Sequence, residues 1–240
     1  RSDIKKGLDY NLTTHSLLIS AYIDFEKIEL QLLRTAKTHP ICYLQGYPSS
    51  IYEFALFCES RAPELVKVLR ESLKGVLLGS EFPVPLYRDV IERVFLTETI
   101  SWYGHTEGCI LAWEKEQKSQ YSVFQSYGYG EAIKLDEEDR YSLIGTNYFN
   151  FSSPLIRYDT EDIIDDIVEE DGVLESFSIN EGRKGQFILD MNFKKISLTG
   201  LIFGRHHKLF DYCTHIQISQ SIKGKATVLY ILRQQHVKIQ

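Results

Sequence analysis

The chain has 240 residues, 43% hydrophobic and 25% charged, which is the balance of a globular protein with a core for one large domain or a domain and a half. A net charge of −6 excludes a general binder of nucleic-acid backbones, and no apolar run reaches the roughly 18 to 20 residues that span a bilayer. Cys42, Cys58, Cys109 and Cys213 lie far apart with no C-x-x-C spacing, so reduced thiols in a cytoplasmic protein are expected, not a zinc site or a disulfide framework.

Residues 1–20 show little pattern and read as a surface wrap. From Asp24, a plausible N-cap, Phe25, Ile28, Leu32 and Leu33 have the spacing of an amphipathic helix. Ile41 to Leu44 is a short apolar strand. Ser50 and Glu53 have the capping-box spacing for a helix over Ile51 to Ser60, and a third helix follows Ala62-Pro63. Gly75 to Leu78 is a strand that runs into Gly79-Ser80-Glu81. Leu86, Val90, Ile91, Val94 and Phe95 predict a helix from Pro85 to Phe95, and a further strand ends in Ser101-Trp102-Tyr103-Gly104-His105-Thr106-Glu107. Strand, helix and strand within about 30 residues form a βαβ unit with parallel strands. Both glutamate-bearing loops then leave from carboxyl ends of parallel strands, the edge at which open α/β sheets bind ligands.

Beyond Glu107 the texture turns to strand. Tyr121 to Tyr127 alternates, Tyr141 to Phe151 is rich in aromatic strand formers, and Asp136 to Arg140 between them reads as a solvated hairpin tip. Leu155 to Tyr158 is a strand broken by the acidic stretch Asp159 to Asp166, and Leu174 to Ile179 is another. This half is expected to form a smaller sheet or distorted barrel packed on the first. Gly182-Arg183-Lys184-Gly185 is the candidate linker. Four strand-like segments lie beyond it, at Gln186 to Met191, Lys195 to Phe203, Tyr212 to Ser219 and Thr227 to Leu232. The fold class is therefore α/β: a parallel-sheet subdomain plus a β-rich subdomain over residues 1–181, then a hinge and the start of a small mobile domain over 182–240.

The landmarks in this order resemble the adenylate-forming enzymes, in the branch of phenylacetate–CoA ligase and capsular-polysaccharide-biosynthesis proteins. Tyr103-Gly104-His105-Thr106-Glu107 matches the Y-G-x-T-E signature. Gly79-Ser80-Glu81 stands in the place of the Gly-Gly-Glu-like loop, Gln45-Gly46-Tyr47-Pro48-Ser49-Ser50 is similar to the G-Y-P-S helix start, Leu155 to Asp162 is similar to the I-R-Y-x-T-x-D segment, and Gly182-Arg183 stands at the G-R hinge. The resemblance implies activation of a small carboxylic acid by ATP, with release of pyrophosphate. The acyl group would then pass to coenzyme A, a carrier or another acceptor.

It also implies roles. Glu107 would bind Mg²⁺ through a hard oxygen, and Thr106 would hydrogen-bond the α-phosphate. Tyr103 would lie on the adenine, with Gly104 beside it, and Asp162 would take the ribose hydroxyls. Glu81 would serve the nucleotide loop, Arg157 would orient the Asp162 loop or reach a phosphate, and Arg183 would contact ribose or phosphate. A homodimer is among the assemblies the resemblance allows. Taken singly, Tyr103 reads as a core aromatic, Glu107 and Asp162 as surface carboxylates, Glu81 as a cap of the Pro85 helix and Arg157 as an ion-pair partner of Asp159 or Glu161. His105 fills the variable position and reads as structural before it reads as a substrate contact. Arg205-His206-His207-Lys208 reads as a solvated cationic turn.

The sequence also departs from the family pattern. The Ser/Thr/Gly-rich ATP loop and the late lysine are not found, Gln186 stands where an acidic residue is usual, the only methionine is Met191, and the chain opens on Arg1. The expectation is a C-terminal portion of a longer AMP-forming ligase, inactive alone. The alternatives are a non-catalytic relative that binds a nucleotide or partner and, more weakly, a sugar-nucleotide transferase using the acidic clusters.

Overall fold

The chain opens with a hairpin, β1 (Leu8–Asn11) paired antiparallel with β2 (Ser16–Ile19), in place of the expected surface wrap. Asn11 makes the reversal, its Oδ1 accepting from the amides of Thr13 and Thr14. Asp24 does act as a cap, but of a single 3-10 turn, Phe25–Lys27, and its carboxylate accepts from the Glu26 amide. The computed structural model describes residues 7–20, 23–115, 117–135, 139–179, 187–193, 195–198 and 212–232. Contacts divide the chain into two units, one of residues 29–185 and one of 1–28 with 186–240.

The larger unit begins with α1 (Glu29–Thr38), which buries Leu32 and Ala36. Next come β3 (Tyr43–Gly46), α2 (Pro48–Arg61), α3 (Pro63–Ser72), β4 (Gly75–Leu78), α4 (Pro85–Phe95) and β5 (Thr99–Gly104). The helix predicted to start at Ile51 starts three residues earlier, because Pro48 at its first position has its φ preset for helix and no amide to leave unpaired. The α4 helix covers the residues its spacing predicts, and its buried face is Arg88, Ile91, Val94 and Phe95. Phe95 meets Phe54 of α2 with ring centroids 6.0 Å apart. Strands β3, β4 and β5 are parallel neighbours, as a βαβ arrangement requires.

Beyond β5 run β6 (Leu111–Glu114), β7 (Gln120–Val123), β8 (Gly128–Lys134), β9 (Tyr141–Asn147), β10 (Tyr158–Glu170) and β11 (Val173–Ser178). They do not form a separate sheet packed on the first. Antiparallel pairing of β5 with β6 joins them edge to edge, giving one nine-stranded sheet in the order β3-β4-β5-β6-β7-β11-β10-β9-β8. The acidic stretch does not break the fifth of these new strands either: Asp159 to Asp166 lies within β10. Register shifts and positive φ at Glu161 and Asp166 let that strand bend while Thr160, Asp162 and Ile164 stay buried. The core of this half is Ile110, Tyr121, Leu143, Ile164, Leu174 and Phe177 with their neighbours.

The smaller unit holds β1 and β2 with two further antiparallel pairs, β12 (Phe187–Leu189) with β13 (Lys195–Ser197) and β14 (Cys213–Ile222) with β15 (Lys225–Leu232). The Gln220 side chain ties two of these strands together: its Oε1 accepts from the Leu189 amide and its Nε2 donates to the Leu189 carbonyl. The Gly182–Gly185 linker, Asp136 to Glu138 and the Arg205–Lys208 turn lie outside the described residues. No helix among the described residues is long and apolar enough to cross a membrane.

Candidate functional site

Three chain reversals lie at the carboxyl edge of β3, β4 and β5. Gly46 pairs with Leu78, and the Gly79 amide donates to the Gly46 carbonyl at 3.2 Å, so the first two loops leave side by side. Gly79 must be glycine, because a Cβ there would overlap the Trp102 indole of β5. Glu81 follows and is held at the start of α2, where its carboxylate accepts from the Ser49 amide at 3.0 Å and the Ser49 hydroxyl at 2.9 Å. It caps α2, not α4. Burial pushes its carboxyl up from the ordinary range against those two hydrogen bonds.

The third reversal is His105–Gly108, with the Gly108 amide donating to the His105 carbonyl at 3.1 Å. The positive φ this turn needs falls on Gly108 and not on Gly104. Glu107 stands at its corner with both oxygens engaged. Tyr158 Oη donates to Oε1 at 3.2 Å, while His105 Nδ1 and Thr106 Oγ1 each lie 3.2 Å from Oε2. These donors, after the residue's own backbone amide, hold the Glu107 carboxyl below the usual range. Asn147 Nδ2 supports the turn from β9 by donating to the Glu107 carbonyl.

Tyr103 of β5 donates to Asp162 of β10 with an O···O distance of 2.6 Å. Its ring stands edge-on to Phe177, with centroids 5.5 Å apart. In a flat sheet these strands would be four steps of about 4.8 Å apart, roughly 19 Å, far beyond the reach of a tyrosine. The sheet therefore curls until β5 and β10 close on each other across the core. Gly145 of β9 permits the closure, since a Cβ there would lie 2.6 Å from Cys109 Cβ.

No family model and no curated protein matches the sequence. Among solved structures the chain is similar to a 2-hydroxyisobutyryl-CoA ligase in the postadenylation state with R3-HIB-AMP. The TM-score is 0.56 and the identity 14%, over 90% of this chain and 48% of that one. A second structure of that ligase, with 2-HIB-AMP, gives a TM-score of 0.50 and 16% identity over 87% and 46%. The chain has the fold of the adenylate-forming ligases. It spans about half the length of the structures it matches.

Within this ligase fold, Tyr103, Thr106, Glu107 and Asp162 come together, linked by Tyr158 and His105. Gly104 closes β5 just before the turn. Arg157 stands at the entry to β10 with positive φ and pairs through Nε with Glu131 at 3.2 Å, not with Asp159 or Glu161. Glu81 is tied to Ser49, and Arg183 lies outside the described residues. Tyr158 and Asn147 were missed as site residues. Tyr158 was signalled by its place in the I-R-Y-x-T-x-D segment, but its contact with Glu107 depends on the curl of the sheet. Among the described residues no group of three or more His, Cys, Asp or Glu side chains can hold a metal alone. Glu107 nonetheless fits Mg²⁺ of the kind bound through one carboxylate together with substrate phosphates, for its carboxylate is ionised and one third exposed.

Proposed function

We propose that the chain forms the nucleotide-facing part of an ATP-dependent carboxylate-activating ligase. The observation that carries this reading is the meeting of the Y-G-x-T-E turn with Tyr158 and Asp162 of β10, through the Tyr158–Glu107 and Tyr103–Asp162 hydrogen bonds. The half-buried Tyr103 ring, fixed at its hydroxyl and flanked by Phe177, offers a flat apolar face to adenine. Asp162 takes a ribose hydroxyl. Thr106, exposed at the turn, donates to the α-phosphate, and Glu107 is the hard oxygen ligand for Mg²⁺, which supplies charge neutralisation at the phosphates when bound. The resemblance would give Arg157, now paired with Glu131, a phosphate contact and Arg183 a ribose or phosphate contact, and Glu81 acts through α2 by fixing its start. Attack of the acid's carboxylate oxygen on the α-phosphorus releases pyrophosphate and leaves an acyl-adenylate. A thiol, coenzyme A or a carrier, then takes the acyl group and releases AMP. The resemblance to the phenylacetate–CoA ligase and capsule-biosynthesis branch suggests an aromatic or other small acid, or a capsule building block, and a cytoplasmic enzyme.

The test is exchange of labelled pyrophosphate into ATP by the protein that carries this chain, across a panel of carboxylic acids. Glu107→Gln keeps the shape of the turn but removes the charge, and exchange should fall by about 10²- to 10³-fold. Exchange that survives this substitution, or none with any acid, would overturn the reading.

A further inference from the structure

Helices α2, α3 and α4 lie on one side of the parallel strands. Phe54 of α2 meets Phe95 of α4, Arg70 of α3 donates through Nε to the Val94 carbonyl of α4 at 2.8 Å, and Arg88 of α4 donates to the Thr99 hydroxyl of β5. The topology requires this: β3, β4 and β5 follow one another in a single direction, so their right-handed crossovers fall on the same face. On that face Val76, Leu78, Thr99 and Ser101 are buried. The alternate residues form an apolar stripe on the opposite face. Leu77 lies beside Ile100, and Trp102 lies across from Trp113, whose ring centroid is 3.8 Å from that of Phe124. Tyr43, paired with Gly75, extends the stripe to β3. Tyr43, Ile100, Trp102 and Phe124 are 36% to 56% exposed. Strand β4 has no polar residue at all, the pattern of a parallel strand buried on both faces, yet only one of its faces carries helices. Open apolar patches of this kind are interaction surfaces.

The length of the matched fold points to the occupant. The match takes in 90% of this chain but only 48% of the 2-hydroxyisobutyryl-CoA ligase, so that fold holds about as much polypeptide again. We propose that the stripe from Tyr43 to Phe124 is the docking surface for this other half, supplied by polypeptide outside the 240 residues. The layer that covers it consists of helices with an apolar face, because helices are what complete the second face of a parallel sheet. The inference rests on the fold and on the open face, not on the nucleotide reading. It would hold for a relative that binds no ATP.

Thiol labelling tests this. Ile100→Cys puts a thiol in the stripe, Phe124→Cys repeats the measurement at its far end, and the wild type, with Cys58, Cys109 and Cys213 buried, sets the background. Thermal unfolding checks that both variants fold. The 240-residue chain should sediment as a monomer and react quickly with a maleimide at either new thiol, and acrylamide should quench both tryptophans, which lie in the stripe. In the protein that carries this chain, both thiols should react about 100-fold more slowly. Ile100→Asp should lower the unfolding midpoint of that protein while leaving the midpoint of the 240-residue chain near the wild-type value. Equal labelling rates in the two proteins would overturn the inference. So would a dimer of the 240-residue chain in which the thiols are already protected, which would give the face to a second copy. Protection in a monomer of the 240-residue chain would overturn it as well. None of these outcomes bears on pyrophosphate exchange, so the ligase reading stands or falls separately.

Discussion

Glu114 has no signature in the sequence, yet its buried carboxylate ties three elements together. It is 8% exposed, pairs with the buried Arg88 of α4, and accepts from the amides of Ser101 at 2.7 Å and Ser119 at 2.6 Å. Arg88 also donates to the Thr99 hydroxyl at 3.0 Å. The cluster fastens α4 and the β6–β7 turn to β5, two residues before Tyr103. Glu114→Ala strands a buried guanidinium and two amides, and should cost about 3–5 kcal/mol in urea unfolding. Arg88→Met with Glu114→Leu should recover much of that, and a cycle whose terms merely add would refute the clamp. Glu81 offers a test with the opposite charge logic. Its folded pKa is raised above the unfolded value of about 4.3, so the folded state binds the extra proton. Stability from this group is complete below that value and declines as pH rises through the folded pKa. Wild type minus Glu81→Gln should show that decline in urea titrations; a flat difference would mean that the Ser49 hydrogen bonds cancel the burial, and a rise with pH that they outweigh it.

At the scale of elements, legibility followed locality. Pro85–Phe95 could be read because its spacing and its proline lie within one stretch, and the parallel pairing of β4 with β5 followed from its length. Strand β6 was not anticipated: Leu111–Glu114 is short and hides a carboxylate among its inward residues, which cancels the alternation. Strand β10 was cut too short because its acidic residues read as a break, whereas Asp162 is satisfied by a partner 59 residues away. The end of α4 carries a mismatch open to correction. Leu96 caps it in the left-handed region at φ 53° and is 70% exposed, so its side chain gains little by burial there. Leu96→Gly should relieve about 1 kcal/mol of backbone strain and raise the midpoint of thermal unfolding. A fall would show that the Leu96 side chain contributes more than its exposure suggests.

On the scale of the whole molecule, the site exists only because the sheet curls. The residues of the turn and of β10 were each legible as family landmarks, but nothing local says that Tyr103 reaches Asp162 over three intervening strands. That depends on bulges in β10 and on glycines that let Cys109 and Ile110 approach β9, features whose consequences accumulate across the sheet. All of these elements, and both tryptophans, lie within residues 29–185, which hold the nine strands, the four helices and the described site residues. The sequence placed a boundary at 182, and we propose that the stretch from Glu29 to Gly185 folds alone. Expressed in isolation, it should unfold in one cooperative urea transition, with the tryptophan emission of the 240-residue chain. Its stability should respond to Glu114→Ala as the longer chain does. A gradual transition, or tryptophan emission already shifted to that of the unfolded chain in buffer, would show that the curled sheet needs residues outside this span to close.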